Sequence, residues 1–136
     1  MPISTVWIRL WGKESPSRML RRGREGEQVA AAYLTARGFR ILARNYRTRA
    51  GEIDIIAQTG QVIVFVEVKT RSSVDFGTPA AFVTYGKRQK LLKTALCYLH
   101  SRGADDSPAR FDVVEVLPAA GGLAVASHII NAFGRE

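Results

Sequence analysis

Residues 51–71, GEIDIIAQTGQVIVFVEVKTR, decide how the rest of the chain is read. They divide into two strands, 51–58 and 62–70, joined by a turn at Thr59 and Gly60. The first alternates around Ile53 and Ile55; the second is β-branched almost throughout and ends in Glu67-Val68-Lys69. Side chains in a strand alternate faces, so Glu67, Lys69 and Arg71 share one face with Ile63 and Phe65, successive positions lying roughly 7 Å apart. A hairpin brings Asp54 opposite them. Two carboxylates and an amine therefore converge at the end of an apolar strand, where unpaired buried charge is costly and needs a reason.

Working outward, the spacing predicts a helix over 24–37, with Ala30, Ala31 and Leu34 on one stripe and Gly38 as its C-terminal stop. Glu27 falls at the N-terminal end of that stripe. It reads either as a surface carboxylate favoured by the helix dipole or as a member of the charged cluster. A strand over 39–47 follows, with Arg44, Arg47 and Arg49 near its end. Residues 72–84 read as a loop, with Phe76-Gly77-Thr78-Pro79 as a mobile flap beside the charged strand end. Thr84 is placed to cap a helix running to 101. Leu92, Leu96 and Leu99 form its expected buried stripe, with Gln89 one turn earlier, and Cys97 reads as a core residue. Lys87, Arg88, Lys90 and Lys93 crowd the helix start against the macrodipole, a cost that an anion such as phosphate would relieve; a solvated basic face is the plainer reading. A strand over 110–117 then completes a right-handed crossover and a parallel pair, and Gly121-Gly122 turns into a short strand over 123–130. The outline is α-β-β-β-α-β-β, an α/β fold with a mixed central sheet flanked by helices.

At 136 residues, 46% hydrophobic and 24% charged, the chain is sized and composed as one soluble domain. No apolar run reaches the roughly 20 residues that span a bilayer, and the opening lacks a signal-peptide core. One cysteine cannot form an internal disulfide, which suits a cytoplasmic setting. The net charge of +8 points to a polyanionic partner, but it is unevenly spread. Residues 1–24 hold six basic side chains and one acid, whereas 25–136 hold fourteen and eleven. Residues 1–22, with Trp7 and Trp11, read as a basic flexible extension to a domain over 23–136.

Asp54 with Glu67-x-Lys69 has the composition of a magnesium-dependent phosphodiesterase site, since magnesium is held by one or two carboxylates plus water and substrate phosphate. Lys69 would orient the attacking water or stabilise the charge on phosphorus. A structural salt-bridge cluster of Asp54, Glu67, Lys69 and Arg71 is the competing reading. Zinc fits poorly, because His100 and His128 lack ligand spacing. Walker and G-x-S-x-G patterns are absent.

Gly26-Glu27 with Ala30 and Tyr33-Leu34, then Arg44-Asn45-Tyr46-Arg47, GEIDIIA at 51–57, FVEVKTR at 65–71, RFDVV at 110–114 and His128-Ile129 with Asn131-Ala132-Phe133 resemble the YraN family of bacterial proteins. That family is similar to the PD-(D/E)-x-K nuclease superfamily and, within it, to archaeal Holliday-junction resolvases. The resemblance implies a restriction-endonuclease-like α-β-β-β-α-β core. It implies a magnesium or manganese ion on Asp54, Glu67 and the Val68 carbonyl, Lys69 as the catalytic lysine and Glu27 as the helix glutamate completing the site. Gln89 takes a position where some relatives carry a supporting polar residue. The superfamily's proline is replaced by Ile53. Arg44, Arg47, Arg71, Lys87 and Lys90 would hold phosphates of DNA, branched or otherwise structured. A two-fold homodimer would be needed for paired cuts on a junction. The second function reading is a nucleic-acid-binding or protein-interaction module that keeps the nuclease fold without turnover.

Overall fold

A computed structural model describes residues 16–72 and 83–134. The Trp7/Trp11 segment and the Phe76–Pro79 flap lie outside the described residues. Helix α1 (Pro16–Ala36) precedes three strands, β1 (Arg40–Arg47), β2 (Glu52–Thr59) and β3 (Val62–Thr70). Helix α2 (Tyr85–Ser101) then leads to β4 (Ala109–Ala119) and β5 (Gly122–Phe133). The sheet order is β1-β2-β3-β4-β5, with β3 and β4 parallel and every other pair antiparallel. The expected element order and the parallel crossover are both observed, and this is the arrangement of a restriction-endonuclease-like core. Two boundaries move. Helix α1 begins at Pro16 rather than at 24, so the last part of the stretch read as an extension is helical; proline suits a first helical turn because it has no N–H to leave unpaired. Strand β5 runs 12 residues and is not short.

Each helix covers one face of the sheet. Ala30 and Leu34 of α1 pack on Ile55, Ala57, Val64, Val66, Val114 and Val116. On the other face, Leu91, Ala95, Tyr98 and Leu99 of α2 pack on Ile53, Ile56, Ile63, Phe65, Phe111 and Val113. Strand β3 is thus apolar on both sides, as a central strand covered by two helices must be. The α2 stripe differs from the expected one: Leu91, Thr94, Ala95 and Tyr98 are buried, whereas Leu96 and Cys97 face outward. Both stripes satisfy helical spacing. Thr94 made the buried one hard to read, yet its hydroxyl is satisfied by donating to the Lys90 carbonyl at 2.8 Å.

Helix ends follow local rules. Gly38, at φ 90°, ends α1 in the left-handed region, and Phe39 N–H returns to the Leu34 carbonyl at 3.0 Å. Thr84 caps α2 by accepting from Lys87 N–H. Gly26 is required for a different reason. A Cβ there would lie 1.9 Å from Thr70 Oγ1 and 3.1 Å from Thr70 Cβ, so only glycine lets α1 close on the end of β3. Gly26→Ala is expected to cost about 1–3 kcal/mol through overpacking against a β-branched neighbour, seen as a lower urea midpoint. An unchanged midpoint would mean that helix and strand separate without penalty.

A buried acid elsewhere is structural. Asp112, with no exposed surface, accepts from Arg110 Nε at 2.9 Å and Nη2 at 3.2 Å, from Asn131 N–H at 3.0 Å, and meets His128 Nε2 at 2.7 Å. Asn131 reaches it through a left-handed φ of 55° where the β4–β5 register shifts. The family positions His128 and Asn131 are accounted for by this network.

Candidate active site

The site forms where β2 and β3 stop pairing. Their backbone register runs from Thr59↔Val62 to Ile55↔Val66. Beyond that point the Asp54 carboxylate replaces the ladder, its Oδ2 accepting from Val68 N–H at 2.8 Å. The Asp54 carboxyl also hydrogen-bonds that of Glu67, whose residue is only 8% exposed. Burial, then the Glu67 charge and the hydrogen bond between the two carboxyls, push Asp54 up to about 8, against a smaller lowering by Val68 N–H. Two like charges this close cannot both ionise cheaply.

Glu27 comes to the same place because Gly26 admits α1 to the end of β3. It is half-buried, and desolvation raises its carboxyl; a hydrogen bond from Asn45 and the Arg44 charge oppose this, while Glu52 and Glu67 reinforce it. The β1–β2 register, Arg44↔Ile55 and Tyr46↔Ile53, puts Asn45 level with Asp54. Asn45 takes a φ of 51°, a left-handed conformation that asparagine tolerates better than most residues. Asn45 and Glu52 were not among the candidates read from sequence; their signal was membership of the Arg44–Arg47 and GEIDIIA motifs.

Lys69 follows Glu67 on β3 and is partly buried. Desolvation, then the Lys87 charge, lower its pKa below that of an ordinary lysine, with Glu67 pulling the other way. A cavity of about 540 Å³ opens beside the carboxylates. Gly51, Glu52, Asp54 and Glu67 line one side, and Thr84, Gly86, Lys87, Lys90 and Leu91, from the start of α2, line the other. Lys87 Nζ is ion-paired with Glu67 Oε2.

The remaining candidates divide. Arg44 and Arg47 are exposed on β1, with Arg47 ion-paired to cavity-lining Glu52. Gln89 is half-buried and does not line the cavity. Arg71 requires a correction: it is 3% exposed and ion-paired with buried Glu115, so it is internal rather than presented to phosphate. Strand alternation gave its face correctly but could not show that Glu115 of β4 closes over it.

Among the described residues, no group of three histidine, cysteine or carboxylate side chains is placed to hold a metal ion. The site offers the Asp54–Glu67 pair, with Glu27 beside it. That pair is still a hard-oxygen donor set, and it already draws the Lys87 ammonium, so its chemistry fits a magnesium or manganese ion that completes its shell with water and phosphate. No helix among the described residues is long and apolar enough to cross a membrane.

Comparison with other sequences places these residues in a known family. The sequence model of the uncharacterised protein family UPF0102 matches residues 26–116. A UPF0102 protein of Symbiobacterium thermophilum is 53% identical over 113 residues, covering 83% of this chain and 96% of that protein. One of Chlorobium phaeobacteroides is 45% identical over 119 residues, covering 84% and 94%. One of Moorella thermoacetica is 55% identical over 96 residues, covering 71% and 80%.

Proposed function

We propose that this chain, which belongs to the uncharacterised protein family UPF0102, the YraN family of the sequence resemblance, is a metal-dependent endonuclease that hydrolyses phosphodiesters in DNA, branched or structured DNA being the preferred substrate. The observation that carries the reading is the adjacent Asp54–Glu67 pair, with Glu27 and Lys69 around it, beside a cavity bordered by Lys87 and Lys90. Lys87 pairs with Glu67, yet two acids share that one place, an arrangement that favours a site built for an added cation.

Asp54, Glu67 and the Val68 carbonyl would hold magnesium or manganese, with Glu27 at the edge. When bound, such an ion neutralises phosphate charge and lowers the pKa of a water. Lys69 orients the attacking water, and its loosened proton suits a group that exchanges protons with that water; such a contribution is typically about 10²–10⁴-fold. Lys87 and Lys90 hold the phosphate across the cavity, and Arg44 and Arg47 extend the basic rim. Two copies would cut a junction symmetrically. A cytoplasmic setting would give such an enzyme access to DNA.

The test combines manganese binding by calorimetry with cleavage of a four-way DNA junction. Wild type is expected to bind and cut, Asp54→Ala/Glu67→Ala to do neither, and Lys69→Ala to bind DNA but cut at least about 10²-fold more slowly. Salt-sensitive DNA binding with no metal binding and no cleavage would instead establish the non-catalytic binding module.

A further inference from the structure

Lys87 is in an unfavourable place for a cation that serves only its helix. It lies in the first turn of α2, where the macrodipole repels positive charge. Its side chain is 46% exposed, yet its ammonium rests on Glu67, a carboxylate only 9% exposed. The same residue lines the cavity assigned to substrate phosphate. One ammonium therefore stands within reach of two anions, Glu67 and whatever phosphate enters the cavity. The flexible four-carbon stem of lysine lets it exchange between them without moving the helix.

Resting on the metal-dependent reading above, we infer that Lys87 is a tethered counter-ion, occupying Glu67 while the divalent cation is absent and passing to substrate phosphate when the cation takes Glu67. The two positions exclude each other, since a cation on the Glu67 oxygens repels the ammonium. Cation binding thus releases Lys87 toward phosphate, and phosphate draws Lys87 away from Glu67. By linkage, each ligand tightens the other by the same factor. The role belongs to Lys87 and not to Lys90, which lines the cavity one turn further along.

Lys87→Met keeps most of the side-chain stem and removes the competing charge. Titrated with Mn²⁺ alone, this variant is expected to bind about two- to fivefold more tightly than wild type, the scale of one partly exposed ion pair. Lys87→Arg, which keeps the charge, should stay near the wild-type value. In a linear DNA duplex assay, Ca²⁺ should tighten binding to wild type by a larger factor than to Lys87→Met, with chelator as reference. Equal or weaker Mn²⁺ binding by Lys87→Met, beside a wild type that does bind, overturns the counter-ion role and leaves the metal site standing. A wild type that binds no Mn²⁺ overturns both.

Discussion

Asp54→Asn is expected to abolish metal-dependent cleavage and yet leave a protein as stable as wild type near pH 4, and more stable than wild type from neutrality upward. Asp54 is raised to about 8 by burial and by Glu67, so the folded protein keeps a proton there at pH 7. Asparagine imitates that neutral carboxyl: its oxygen can accept from Val68 N–H and its amide can donate to Glu67. The linkage has a definite sign. Between the ordinary aspartate value of about 4 and the folded value of about 8, the native state binds more protons than the unfolded chain, so stability falls as pH rises and levels off above 8. Each unit of displacement is worth about 1.4 kcal/mol, so this one carboxyl contributes a fall on the order of a few kcal/mol. Urea midpoints from pH 4.5 to 9, with chelator present, should decline for wild type and run flatter for Asp54→Asn. Metal binding below pH 8 must also expel that proton, so the calorimetric enthalpy should depend on the ionisation enthalpy of the buffer in wild type. Parallel pH profiles for the two proteins would remove the shared-proton description of the site.

Arg71→Ala is expected to give the largest loss of stability, about 3–5 kcal/mol, because it strands the Glu115 carboxylate in the interior. Ser127 Oγ, donating to Glu115 Oε1 at 3.3 Å, cannot replace a cation. The double variant Arg71→Met/Glu115→Leu should recover most of the loss, since apolar side chains of similar volume tolerate this position better than one unpaired charge. DNA affinity provides a second measurement. Lys90→Ala should shallow the salt dependence by about one counter-ion, whereas the Arg71/Glu115 double variant should keep the wild-type slope. A lower slope in the double variant would show that Arg71 reaches phosphate after all.

Local pattern determined most of the architecture. β-Branched runs, the Thr84 cap, Gly38 and the strand-helix-strand order each depend on neighbouring residues, and each predicts an element that forms. Alternation along one strand was also enough to put Glu67 and Lys69 on one face, whereas helical facing left Glu27 open between surface and site, and it was the family resemblance that assigned it to the site. Tertiary structure decided what depends on residues distant in the chain. Gly26 matters only because Thr70 lies against it. Asp54 meets Val68 only because the β2–β3 ladder ends there. Arg71 is internal only because Glu115 arrives from the parallel strand, and Lys87 pairs with Glu67 only because the crossover sets the start of α2 above the end of β3. Periodicity reports which face a side chain takes, but burial and partner choice are set by what packs over that face. The sequence by itself therefore determined the frame and the acids, and only the folded chain decided which basic residues face the cavity and which stay inside.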